Sequence, residues 1–123
     1  MVIPHLHFCG NCAEAIDLYE MAFSAKVETI DYAPNGKKIV HASMNIHGQK
    51  VFLNDRFGNK DKSLDCSVHL IITFNTADEL LTCYDILKTG GSDIDAFVET
   101  PYSKLCSNFM DRFRVFWGFM ADK

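Results

Sequence analysis

Four histidines carry most of the chemistry available to this sequence. His5 and His7 alternate within one apolar run, His41 shares a second run with Ser43 and Asn45, and His69 lies near the start of a third. An imidazole titrates near neutrality, so each can serve as a general base, a hydrogen-bonding ligand contact or a metal ligand. Strand alternation sends His5 and His7 to one common face, directed either into a binding hollow or towards a helix. His41, Ser43 and Asn45 make a polar stripe that suits a pocket wall or a solvated surface. His47 falls in a turn and is expected at the surface. Any carboxylate that would orient a histidine base is not fixed by the spacing; Glu99 and Asp111 are candidates by position alone.

Other chemistries find less support. Cys9-x-x-Cys12 has the gap of a redox or zinc pair, but no second pair of Cys or His with metal spacing follows, and five is an odd count. Most of the cysteines lie in apolar patterns that keep thiols inert, with Cys106 in a more polar stretch. There is no Gly-x-Ser-x-Gly elbow and no phosphate-cradling glycine loop. A net charge of −4 without a basic patch argues against nucleic acid as a partner. No apolar run is long enough for a membrane span, and no secretory signal opens the chain, so a cytoplasmic protein is expected. With 123 residues, 48% of them hydrophobic and 23% charged, a single soluble domain with a real core is expected.

The elements that must position these residues come twice. An apolar strand runs into a capped amphipathic helix from Ile3 to Phe23, and again from Val68 to Leu87. Asn11-x-x-Glu14 and Thr76-x-x-Glu79 read as capping boxes, each typically worth about 1 kcal/mol. Gly90-Gly91 supplies a left-handed stop to the second helix. Three strands follow the first helix, at about 26–32, 38–46 and 50–54, with turns at Pro34-Asn35-Gly36 and His47-Gly48. The third strand places Val40, Ala42 and Met44 on one face, and Ile39, His41, Ser43 and Asn45 on the other. Three more strands, at about 95–99, 107–111 and 115–120, follow the second helix. The expected class is α+β: two βαβββ modules forming a cupped, mostly antiparallel sheet with helices outside and a cleft within. Module 1 covers about 1–55, a polar connector about 56–66, and module 2 about 67–123.

With that order in place, the chain resembles the vicinal oxygen chelate superfamily of glyoxalases and bleomycin resistance proteins, and within it the PhnB-like group. The matching segments are Pro4-His5-Leu6-His7-Phe8, Gly10 to Ile16 with Tyr19, Val40-His41-Ala42, Phe52-Leu53-Asn54-Asp55 and Asp111 to Trp117. The resemblance implies the glyoxalase/bleomycin resistance fold, a homodimer, and binding or catalysis in the cup. Metal-dependent members hold a divalent ion on four strands. His69 matches one ligand position, and Pro4, by superposing the two caps, with Phe52 and Gly118 occupies the others. Only His69 offers a donor, although a one-residue shift would bring His5 to the ligand face. Arg114 stands where the family usually has glycine, and Tyr102-Ser103 and Cys106-Ser107 replace glycine-containing pairs.

The function expected is therefore small-molecule binding without a cofactor. An organic ligand would be held by His5, His7, His41 and Trp117, with Phe109, Phe113, Phe116 and Phe119 serving as core, as a dimer face or as pocket lining. The alternative is a divalent-metal-dependent lyase, isomerase or dioxygenase using His69 with His5.

Overall fold

Residues 1–55, 69–100 and 103–122 are described by a computed structural model. The chain divides into two compact units, Met1–Lys62 and Ser63–Lys123. The expected connector at about 56–66, and Tyr102 of the loop departures, lie outside the described residues.

Unit 1 runs β1 (His5–Phe8), α1 (Cys12–Phe23), β2 (Lys26–Tyr32), β3 (Ile39–Ile46) and β4 (Gln49–Asp55). Its sheet order is β1-β4-β3-β2, with β1 parallel to β4 and the other pairs antiparallel. Unit 2 repeats the plan with β5 (Leu70–Phe74), α2 (Ala77–Lys88), β6 (Ser92–Thr100), β7 (Ser103–Met110) and β8 (Phe116–Ala121) in the order β5-β8-β7-β6. The α+β reading as two βαβββ modules is thus the architecture found. Among the described residues no helix is long and apolar enough to cross a membrane.

Each helix covers one face of its own sheet. Cys12, Ala15, Ile16, Tyr19, Ala22 and Phe23 of α1 are buried, as their spacing predicts, and Phe8 of β1 meets the Tyr19 ring at 6.3 Å. In unit 2 Leu80, Cys83, Tyr84 and Leu87 are buried, and Tyr84, Phe109 and Phe119 pack edge to face. Burial pushes the Cys12 thiol, with the nearby Asp55 carboxylate adding to it, and the Cys83 thiol up to about 12, so neither is a ready nucleophile.

The two helix starts are built differently. Thr76 Oγ1 accepts from the Glu79 amide at 3.1 Å, as the capping box requires. Asn11 makes no such bond; its Oδ1 accepts from the Cys9 amide instead. The α1 amides are taken by Asp55, whose Oδ1 accepts from Gly10 N at 2.9 Å and Cys12 N at 3.0 Å, while Oδ2 accepts from Ile39 N at 3.1 Å. A carboxylate next to a helix N-terminus outcompetes a neutral amide for these donors.

Alternation along β3 also departs from expectation. Ile39 is buried and Val40 is 38% exposed, because the β2–β3 ladder slips between Asp31/His41 and Tyr32/Ile39. This bulge exchanges the two side chains while leaving His41 where the alternation put it.

Candidate functional site

In unit 1 the face away from α1 gathers the histidines. Leu6 and Phe8 take the inward positions of β1, which sends His5 and His7 to the opposite face. There the His5 and His7 rings lie 4.3 Å apart at 35°, and His41 reaches the His5 ring edge-on at 6.3 Å. Phe52 of β4 closes the group, 6.0 Å from His5 and 4.7 Å from His41, both edge to face. Three of the expected contact residues are thus neighbours, and Phe52 joins them.

Polar partners surround the rings. The His7 Nδ1–H donates to Asn54 Oδ1 at 2.7 Å. Ser43 Oγ donates to Glu28 Oε1 at 3.1 Å, and Lys50 lies 3.9 Å from the same carboxylate. Partial burial and, secondarily, the His7 and His41 imidazoles hold the His5 pKa below its ordinary 6.5, so His5 is neutral at physiological pH. The orienting partner of a histidine is therefore an amide, Asn54. Of the two candidate carboxylates, Asp111 accepts from Phe113, Val115 and Trp117, and Glu99 lies on β6.

Away from this group, a groove of about 520 Å³ opens between the end of α1 and the β3–β4 turn, lined among others by Phe23, Lys26, Asn45 and His47. None of the expected contact residues lines it.

In unit 2 the face away from α2 holds His69, stacked on Phe116 at 4.5 Å and 27°. Gly118 permits this arrangement. A Cβ there would stand 2.6 Å from Ile71 Cδ1 and 2.9 Å from both Asn108 Oδ1 and His69 Cδ2. Asn108 in turn donates from Nδ2 to Asp95 Oδ2 at 3.0 Å.

Trp117 corrects the expectation placed on it. It is fully buried on the α2 side of the sheet, and its indole N–H donates to Asp111 Oδ2 at 2.9 Å. The other Asp111 oxygen accepts from Phe113 N and Val115 N, which makes this carboxylate the clasp of the β7–β8 hairpin. Trp117 is a core residue, as are Phe109 and Phe119; Phe116 alone of that cluster turns to the helix-free face.

The strand register also differs from the superposed caps. Three residues separate β1 from α1 and two separate β5 from α2, so the strands align one residue away from the helices. His5 pairs with Phe52 and Ile71 with Gly118, which makes His5, not Pro4, the residue facing the site in its module.

The donor set does not fit a divalent ion. Phe52 and Gly118 supply no ligand atom, and no three His, Cys, Asp or Glu side chains converge at metal-binding geometry among the described residues.

Two βαβββ units with these sheet orders make up the glyoxalase/bleomycin resistance fold. Similarity to solved structures agrees, and PhnB-like proteins are among the neighbours. A PhnB protein from Bacillus cereus is 24% identical with a TM-score of 0.86, the match covering 98% of each chain. A glyoxalase/bleomycin resistance protein/dioxygenase domain from Frankia is 15% identical with a TM-score of 0.76, covering all of this chain and 91% of that one. Among curated proteins, YjdN of Escherichia coli is 23% identical over 133 residues, spanning 93% of this chain and 90% of YjdN. No protein-family model matches the chain.

Proposed function

We propose that this chain is a PhnB-like, small-molecule-binding member of the superfamily, acting in the cytoplasm as a homodimer. Its organic ligand rests on the helix-free face of unit 1 and needs no metal ion. The observation that carries the reading is the group of His5, His7, His41 and Phe52. Together they form an aromatic wall with hydrogen-bonding nitrogens on a face that α1 leaves uncovered. A few oriented polar groups on an apolar or aromatic wall are what small-molecule sites require.

A thermal-shift screen of organic ligands tests this, because a bound ligand raises the melting temperature by mass action. A hit at 100 times its Kd stabilises by about 2.7 kcal/mol, and His41→Ala and Phe52→Ala each remove most of that shift. A shift unchanged in both variants would place the ligand elsewhere. Elemental analysis finding one divalent ion per chain, lost in His69→Ala, would favour the metal-dependent reading instead. Light scattering at the 13.9 kDa of one chain would remove the dimer.

A further inference from the structure

We infer that Asn54 fixes the tautomer of His7, leaving His7 Nε2 as the acceptor through which the site selects a hydroxyl-bearing aromatic ligand. This rests on the binding role proposed for unit 1 and gives it a ligand class. The Asn54 carbonyl oxygen is only an acceptor, so at 2.7 Å the ring nitrogen facing it carries the proton. In a neutral imidazole the other nitrogen then holds a lone pair. His7 makes no other hydrogen bond among the described residues, so Nε2 stays available on the face lined by His5, His41 and Phe52. Asn54 is placed for this by the sheet itself, because His7 and Asn54 are register partners in the parallel β1–β4 pair.

An aromatic ring with a hydroxyl satisfies both features at once. Its ring packs against the wall of His5, His41 and Phe52, and its O–H donates in the plane of the His7 imidazole to Nε2. A ligand that covers Nε2 but whose oxygen carries no proton takes away the water this half-buried nitrogen could bond and gives no donor in return. Asn54 is a positioning residue here, because it acts through the imidazole.

Phenol and anisole, which differ by a methyl group on the oxygen, are the probes. Long-range ¹H–¹⁵N correlation of the histidine rings reads the tautomer directly, and titration of the same signals reads binding. Wild-type His7 is expected as the Nδ1–H form, with phenol bound about five- to tenfold more tightly than anisole, the range of one net hydrogen bond. Asn54→Leu should mix the two tautomers and bring the probes to near parity. Asn54→Asp, which keeps the acceptor, should restore the Nδ1–H form. An Nε2–H tautomer in the wild type, an unchanged tautomer in Asn54→Leu, or equal affinities in the wild type would each overturn the inference even if ligands bind. If His7 holds the expected tautomer but neither probe perturbs His5, His7 or His41, the binding reading of unit 1 fails, and the ligand class falls with it.

Discussion

Asp55 offers a sharp test of how unit 1 is held together. Its two oxygens accept three backbone N–H groups from three places: Gly10 before α1, Cys12 at the helix start and Ile39 at the start of β3. Asp55 is 1% exposed, and Cys12 and Ile39 are equally hidden, whereas Gly10 lies at the surface and can turn to water. Asp55→Ala therefore strands two buried donors at roughly 1 to 3 kcal/mol each, a total near 4 kcal/mol. Asp55→Asn is the more telling change. Its remaining oxygen keeps both bonds at the helix start, but its NH₂ group then faces the Ile39 N–H, donor against donor. Adding the lost charge at the helix terminus, the cost is about 2 kcal/mol. Urea denaturation followed by far-UV circular dichroism reads both, with the midpoint falling at constant slope if only native stability changes. An Asn variant within about 0.5 kcal/mol of wild type, the usual spread for inconsequential surface changes, would refute the three-way bridge. So would an Ala variant milder than the Asn.

Further outcomes follow from single residues. Ser107 is buried with its hydroxyl unpaired, so Ser107→Ala should stabilise by about 1 kcal/mol and raise the melting temperature. Arg114 holds φ at 68° in the β7–β8 turn, a conformation glycine adopts freely; Arg114→Gly should gain about 0.5 to 1 kcal/mol after the added freedom of the unfolded chain is counted. His5 has a folded pKa below its unfolded 6.5, so the unfolded state binds the proton first as pH falls. The His5 contribution is therefore fully present above 6.5 and is lost as pH drops towards the folded value. Chemical denaturation across this range should show a shallower decline in His5→Gln.

Much of the architecture is visible in the sequence because it rests on local signals. Apolar spacing marked both helices, Thr76 announced its own cap, and His47-Gly48 formed the expected turn, with φ of 50° and 85°. What stayed hidden depends on distant partners. The Asn11 cap was displaced by Asp55, from the far end of the module. The bulge at Val40 is invisible to simple alternation, and the longer β1–α1 connection moved the strand register by one. At the site, alternation joined His5 to His7, but the choice of face needed the inward Phe8. The proximity of His41 needed the pairing of three strands. Asn54 stood within a matching segment, yet its bond to His7 comes from parallel pairing across 47 residues. Trp117 misled because its indole N–H finds a buried acceptor, Asp111, that an aromatic count does not reveal.

The borrowed cap also sets an order of assembly. The second helix carries its own start signal and can begin to coil as soon as its residues exist, whereas the first draws its terminal acceptor from a residue 43 positions away. Helix nucleation is the costly step, so the first helix gains its full support only when the last strand of its module arrives. Two halves with one outline therefore mature on different schedules, one from within and the other by return of its own tail.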